Sequence, residues 1–227
     1  MRILALETSC EIASVAVLDG DRIHVRQLEG SGAGHSASVM PSLRALLADA
    51  SLRVADCDVV AFGAGPGAFT GLRLACGVAQ GLALGVEIPV APVSSLLALA
   101  TLFDAPRIYC AMDARMNEAY VAAYERVGGQ LIERIAPVCV PPDQAPLPQG
   151  AGWLGIGTAF RAYPALTEVL GASVTVEDAS AVPTAAAVAR LATDRALWID
   201  PALAAPHYVR DKVAQTVAER LAQGGRA

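Results

Sequence analysis

Residues 63–73 carry the residue types best suited to bind an anion. They read Gly-Ala-Gly-Pro-Gly-Ala-Phe-Thr-Gly-Leu-Arg and run into a helix predicted to begin near Thr70. Glycine lets backbone N–H groups approach a ligand closely, and a helix N-terminus adds unpaired donors and a partial positive charge. Gly65, Gly67 and Thr70 could therefore contact a phosphate or carboxylate. The same pattern is typical of a structural corner between a strand and a helix, with Thr70 as the N-cap. Because no lysine follows the glycines, the segment is not a P-loop.

Glu7, Thr8 and Ser9 form a second group of candidate ligands, at the end of the first predicted strand. These residues could lie next to a bound phosphate or metal ion. Alternatively, Glu7 is a structural carboxylate that stabilises the hairpin. The three histidines are scattered along the chain, whereas imidazoles must cluster to hold a metal ion. The five cysteines include no Cys-x-x-Cys pair. We therefore expect no metal site and no disulfide framework.

Composition excludes several classes of protein. The net charge is −5 and Lys212 is the single lysine, so the chain alone is a poor binder of tRNA or DNA, which requires clustered basic residues. Although 54% of the residues are hydrophobic, no window offers about 20 uninterrupted apolar residues, and we expect no membrane-spanning helix. The N-terminus lacks a signal-peptide cleavage site, and the unpaired cysteines fit a reducing compartment. We expect a cytoplasmic protein.

Each half of the chain begins with three predicted strands, at residues 2–7, 13–18 and 22–28 and at residues 107–113, 118–126 and 130–140. Strands at 57–62, 88–91, 153–156 and 174–177 then alternate with helices at 36–50, 70–84, 94–102, 159–170 and 185–198, the last capped by Ser180. This repetition predicts an internal duplication, with lobes at residues 1–103 and 104–211 and a flexible tail at 212–227. The expected fold is α/β, with two lobes of mixed sheets flanked by helices. It resembles the duplicated ribonuclease H-like plan of the actin, hexokinase and acetate kinase superfamily.

The predicted helix at residues 70–84 is apolar around its whole circumference, which indicates burial on both sides. One side suits the sheet. The other, rich in small residues, suits a second helix, either residues 36–50 or part of another chain. Arg73 is a lone charge that should be paired or reach an interface. The candidate interface residues are Val39, Leu43, Leu46, Leu47, Arg73, Leu74, Gly77, Val78, Gly81 and Leu82, and each leucine could equally be an ordinary core residue.

Several segments together resemble the TsaB (YeaZ) family, bacterial proteins related to the M22 glycoprotease group. The Gly-Pro-Gly-x-Phe-Thr-Gly-Leu-Arg block at residues 65–73 is the most specific match. Supporting matches are Glu-Thr-Ser-Cys at 7–10, His-Ser at 35–36, Val-Ser-Ser-Leu at 93–96, Asp-Ala-Arg at 113–115 and Tyr-Val-Arg at 208–210. The Glu-Thr-Ser-Cys opening is closer to the catalytic paralogue TsaD than to the Asp-Thr-Ser usual in TsaB.

The resemblance implies a non-catalytic subunit without a cofactor of its own, because the metal-binding histidines of TsaD are reduced here to His35. The expected partners are a TsaE-type ATPase and a TsaD-type transferase, which modifies the adenosine next to the anticodon in tRNAs that read codons beginning with A. The two apolar helices would bind the TsaD-type protein, or a second copy of the chain when that partner is absent. ATP or ADP is expected at the heterodimer interface, and tRNA would be contacted only through the complex.

Two other functions stay open from the residues alone. A small-molecule kinase of the same superfamily would need a second phosphate loop, for which residues 155–158 are the one candidate. An M22-type metallopeptidase would need the missing histidines. Asp113 and Arg115 are expected to pair with each other or to lie in the cleft between the lobes. Tyr208 and Arg210 are expected to anchor the C-terminal segment.

Overall fold

A computed structural model describes residues 1–30 and 34–210 and shows two five-stranded mixed sheets flanked by helices. The first sheet has the order β3-β2-β1-β4-β5 and the second the order β8-β7-β6-β9-β10, read from the corresponding edge. The first sheet contains β1 (Arg2–Glu7), β2 (Ser14–Asp19), β3 (Arg22–Gln27), β4 (Val59–Gly65) and β5 (Val90–Ser94). The second contains β6 (Arg107–Asp113), β7 (Ala119–Val127), β8 (Gln130–Val140), β9 (Trp153–Ile156) and β10 (Val174–Asp178).

The two sheets repeat one pairing pattern, which confirms the predicted duplicated α/β fold. Strand β1 is antiparallel to β2 and parallel to β4, and β6 is likewise antiparallel to β7 and parallel to β9. The hairpin turns require left-handed backbone at Gly20 and at Gly128 and Gly129, which glycine adopts at little cost. The helices of the described residues are α1 (His35–Asp49), α2 (Phe69–Val86), α3 (Ser95–Ala100), α4 (Ala159–Ala162), α5 (Pro164–Leu170) and α6 (Ala185–Leu191).

The first sheet is buried on both faces because alternate side chains of its central strands enter two separate cores. Leu4 and Leu6 of β1 pack on the side covered by α1 and α2. Ile3 and Ala5 of the same strand pack on the opposite side, against α6. This explains why the central strands are apolar at consecutive positions, as is usual for strands buried in α/β folds.

Helix α6 joins the first sheet although it follows the second sheet in sequence. Its residues Ala185, Val188 and Ala189 lie in the same core as β1, and the backbone N–H of Ala185 donates to Ser14 Oγ at 2.9 Å. The chain then returns to the edge of the first sheet, where Ile199 pairs with Val90. The predicted boundary between residues 103 and 104 therefore does not separate the lobes fully, because part of the second half of the chain packs on the first sheet.

Several predicted elements differ from the structure. Strand β4 begins at Val59 and includes the first glycines of the glycine-rich segment. The helix predicted at 159–170 is divided at Tyr163, whose extended backbone is the conformation favoured before a proline. The last helix ends at Leu191, and its cap is Thr184 rather than Ser180. The predicted tail at 212–227 lies outside the described residues.

Helix α2 is 18 residues long with a mean hydropathy of 1.3, so by length and composition it is apolar enough to cross a membrane. The sequence predicts no membrane-spanning helix. In the structure its buried residues pack on the first sheet, namely Leu72, Ala75, Cys76, Ala79 and Ala83. A core helix passes the same test, so this helix by itself is weak evidence for a membrane span.

We expect the hydrogen bond between Ser14 and α6 to hold the two halves of the chain together. In the Ser14→Ala variant the buried N–H of Ala185 loses its hydrogen-bond acceptor. This loss should lower the free energy of unfolding by about 1–3 kcal/mol. Urea unfolding checks this. Ser42→Ala on α1 is the control, because the Ser42 hydroxyl makes no hydrogen bond within the described residues. Equal stability of the two variants would contradict the assigned role.

Candidate functional site

The glycine-rich segment packs directly on the turn that joins β1 to β2. A methyl group placed on Gly71 would lie 1.9 Å from the carbonyl oxygen of Thr8. At Gly67 it would lie 2.5 Å from the carbonyl oxygen of Ser9. At Gly63 it would lie 2.0 Å from Glu7 Oε2. These glycines are therefore needed because another segment of the same chain occupies the space beside them.

Hydrogen bonds fix this contact, which we call the glycine corner (residues 7–9 against residues 63–71). The N–H of Ala68 donates to the carbonyl of Ser9 at 2.7 Å, and Thr8 Oγ1 donates to the carbonyl of Gly71 at 2.6 Å. At Gly65, whose φ is +114°, the carbonyl of His207 lies 2.8 Å from the position a Cβ would take. The geometry favours the structural interpretation of the glycines over a phosphate loop.

Thr70 is not the helix N-cap. Helix α2 begins at Phe69, its N-cap residue is Ala68, and no side chain caps it. Thr70 is exposed in the first turn. The expected cap is wrong because the chain turns into the helix earlier, at the residue whose N–H is bound by Ser9.

Glu7 is fully buried within the glycine corner. Its Oε1 accepts from the N–H of Ser9 at 2.7 Å and its Oε2 from Ser95 Oγ at 2.8 Å. Burial raises the pKa of this carboxyl above its ordinary value of 4.5, and the hydrogen bonds from Ser9 and Ser95 offset part of that rise. Glu7 thus joins the β1 turn to the start of α3, as a structural carboxylate would.

A cleft of about 520 Å³ separates the glycine corner from the second sheet. Asp113 and Arg115 lie on its far side and pair at 3.1 Å, as the sequence predicts. Asp113 also accepts from Tyr163 Oη at 2.6 Å, and burial together with this bond raises the pKa of Tyr163 to about 12. Arg115 extends across the cleft to form an ion pair with Glu11 of the first lobe.

A C-terminal strap, residues 207–210, closes one side of this cleft and contacts both lobes. The N–H of His207 donates to the carbonyl of Ala64 at 2.7 Å. Arg210 donates to the carbonyl of Ala114 at 2.9 Å and pairs with Glu118. This confirms that Tyr208 and Arg210 anchor the C-terminal segment, since Tyr208 contacts Arg73.

The predicted interface residues divide into three groups. The first group is buried in the chain's own core and consists of Val39, Leu43, Leu46 and Leu47 of α1. The prediction that these four residues form a partner surface is therefore wrong. Their spacing marks the buried face of an amphipathic helix, and that pattern cannot show which apolar layer covers it. Three residues of α2 are half-buried against the same core, namely Leu74, Val78 and Leu82. The third group of predicted interface residues is exposed and consists of Arg73, Gly77 and Gly81.

Sequence reasoning missed further exposed residues beside them. Leu84 is 55% exposed and Phe69 is 36% exposed, and Gly85 is exposed on the same side of α2. Around Gly77, Gly81 and Gly85 the structure leaves open space where a Cβ would lie. The recurrence of glycine at every fourth position of the sequence could have revealed this exposed side of the helix. We call residues 69, 73, 77, 81, 84 and 85 the outward face of α2.

Within residues 1–30 and 34–210, no group of three or more His, Cys, Asp and Glu side chains is placed to hold a metal ion. His35 is buried at the start of α1. His24 lies on β3, the edge strand, and His207 lies in the strap. The structure therefore does not bring the three histidines together.

Comparison with known proteins identifies the family. The family model for TsaD, tRNA N6-adenosine threonylcarbamoyltransferase, matches residues 29–224. The Haemophilus influenzae tRNA threonylcarbamoyladenosine biosynthesis protein TsaB is 36% identical over 182 residues, which are 74% of this chain and 76% of that protein. The Escherichia coli protein of the same name is 33% identical, over 75% and 77% of the two chains. The chain belongs to the TsaB family.

A solved member of the TsaB (YeaZ) family has the same fold. YeaZ from Pseudomonas aeruginosa is 35% identical and superposes with a TM-score of 0.82 over 91% of this chain and 99% of that chain. The family resemblance read from the glycine-rich block is thus confirmed. That block is the part of the sequence that builds the glycine corner and starts α2.

We expect the glycines of α2 to respond oppositely to alanine substitution. Gly71→Ala should lower the free energy of unfolding by at least about 2 kcal/mol, because its Cβ meets a backbone carbonyl that cannot move freely. Gly81→Ala should raise it by about 0.5–1 kcal/mol, because an exposed helical glycine costs backbone entropy. Chemical denaturation of the two variants measures both effects. An unchanged free energy of unfolding for Gly71→Ala would contradict the close backbone contact in the glycine corner.

Glu7 should make stability depend on pH. Because the folded state raises its pKa above the ordinary value of 4.5, the protonated carboxyl stabilises the fold at low pH, and this contribution is lost as pH rises through the folded-state value. Glu7→Gln should therefore gain stability relative to the unmodified chain as the pH rises above the ordinary carboxyl pKa of 4.5. Urea unfolding across this pH range checks it, with exposed Glu133→Gln as control. Parallel curves for Glu7→Gln and the unmodified chain would contradict the buried carboxyl.

Proposed function

We propose that this chain is a non-catalytic subunit in the biosynthesis of threonylcarbamoyladenosine in tRNA. It binds a TsaD-type transferase through the outward face of α2 and forms with it the assembly that a TsaE-type ATPase joins. The tRNA contacts come from the complex, since the chain carries a net charge of −5. Membership of the TsaB family supports a role in threonylcarbamoyladenosine biosynthesis. The observation that supports the subunit role is the outward face of α2.

This face is built for close approach by another helix. Gly77, Gly81 and Gly85 leave the backbone uncovered, so the axes of two helices can approach more closely than larger side chains allow. Leu84 and Phe69 add exposed apolar surface at the two ends of the same face. Burying exposed apolar surface against a partner is favourable by about 25 cal/mol for each Å². In the absence of the partner, a second copy of the chain would use the same face.

The absence of catalysis in this subunit is supported by the glycine corner. A phosphate site at a helix N-terminus needs free backbone N–H donors. Here the N–H of Ala68, just before α2, is already bound by the carbonyl of Ser9 at 2.7 Å. A nucleotide that takes part in the reaction would then lie at the interface with the TsaD-type protein rather than in this corner.

The experiment is reconstitution from purified proteins of the same organism. With tRNA, ATP and an activated threonylcarbamoyl donor present, the chain alone should transfer no threonylcarbamoyl group, and addition of the TsaD- and TsaE-type proteins should give transfer. Gly77→Leu should remove both co-elution with the TsaD-type protein and transfer, because its side chain fills the space the partner helix needs. Size-exclusion chromatography and incorporation of label from the threonylcarbamoyl donor into tRNA measure these two results.

Ala172→Leu is the matched control, since Ala172 is exposed in the second lobe and distant from α2 in the fold. It should retain both co-elution and transfer. Transfer by the chain alone would overturn the non-catalytic role. Co-elution of a folded Gly77→Leu variant with the TsaD-type protein would overturn the proposed interface.

A further inference from the structure

Three side chains at the N-terminal end of the outward face form a cluster that we call the Arg73 clamp: Phe69, Arg73 and Tyr208. The Arg73 guanidinium carbon stands 3.8 Å above the centre of the Phe69 ring. Its Nε donates to Tyr208 Oη at 3.0 Å. The Tyr208 ring lies 5.5 Å from the Phe69 ring. Two aromatic side chains therefore hold one guanidinium in place at the surface.

The charge of Arg73 has no acidic partner within the described residues. Arg107 pairs with Glu125 at 2.9 Å and Arg210 pairs with Glu118, whereas Arg73 forms no ion pair with any residue of the ranges 1–30 and 34–210. Its two Nη atoms make no hydrogen bond in this part of the chain, so the planar end of the side chain is free to donate. Ordering a long side chain costs conformational entropy, and here that cost is met within the chain before any partner binds.

We propose that the Arg73 clamp receives a carboxylate of the protein that packs on the outward face of α2. The guanidinium end matches the two oxygens of a carboxylate, which it binds by parallel hydrogen bonds. A side chain already held in its bound conformation loses less entropy on association. Arg and Tyr are also among the residue types that contribute most to binding energy once a partner buries them. The occupant is an Asp or Glu side chain of the TsaD-type partner, and in naming that partner the inference rests on the proposed function.

Tyr208 and Phe69 act in this site as positioning residues. Their contacts are to Arg73, and they fix its orientation through a ring face and a hydroxyl acceptor. Tyr208 belongs to the strap, so the last described segment of the chain is a part of the docking surface. Removal of the Tyr208 hydroxyl should therefore matter only while Arg73 is present.

The test is calorimetric titration of the chain with the TsaD-type protein of the same organism. Arg73→Met, which keeps the apolar stem, should raise the dissociation constant by about tenfold or more. Arg73→Lys should also weaken binding, because an ammonium group lacks the planar fork. Tyr208→Phe should raise the dissociation constant by about three- to tenfold, and by less than about twofold when Arg73→Met is already present. Arg190→Met is the control, since Arg190 is exposed on α6, and it should bind as the unmodified chain does.

The outcomes separate this inference from the proposed function. If the unmodified chain does not bind the TsaD-type protein, both are overturned. If it binds and the folded Arg73→Met and Tyr208→Phe variants bind equally well, only the clamp is overturned. The clamp is also overturned if Arg73→Met dissociates a homodimer, measured by light scattering, while the affinity for the TsaD-type protein is unchanged. Loss of affinity that is non-additive between Arg73 and Tyr208 supports it.

Discussion

The contact between two backbone segments in the glycine corner determines most of what lies around it. The carbonyls of Thr8 and Ser9 occupy the space beside the α-carbons of Gly71 and Gly67, and no side chain larger than hydrogen fits there. The contact fixes the end of β1, the direction in which α2 leaves the sheet and the position of Glu7 below them. A segment that could have cradled a phosphate is thereby used to join a turn to a helix.

The position of α2 follows from that corner. Because its first turn is held against the β1 turn, one side of the helix is pressed into the core through Leu72 and Ala75. The opposite side remains at the surface with glycines at every fourth position. The strap reaches this exposed side at Tyr208 and the second lobe at Arg210. The same few contacts therefore connect the proposed partner surface to the cleft between the lobes.

The sequence predicts the strands and the duplication well because each half repeats the same apolar pattern and hairpin turns. It predicts α2 and its apolar circumference, but it cannot tell the α1 leucines of a core from those of an interface, since both need the same helical spacing. For Tyr208 the sequence predicts only an anchoring role, because its partner Arg73 is 135 positions away. The closed state of the glycine corner depends on another such distant contact, which no local pattern reveals.

The most direct measurement is nucleotide binding and turnover by the purified chain alone. If the glycine corner is filled by the chain's own backbone, as the Thr8 and Gly71 contact indicates, titration with ATP and Mg²⁺ should give no saturable heat and no phosphate release above buffer. Stoichiometric ATP binding accompanied by turnover in the isolated chain would contradict the central claim, because the chain would then carry a catalytic activity of its own.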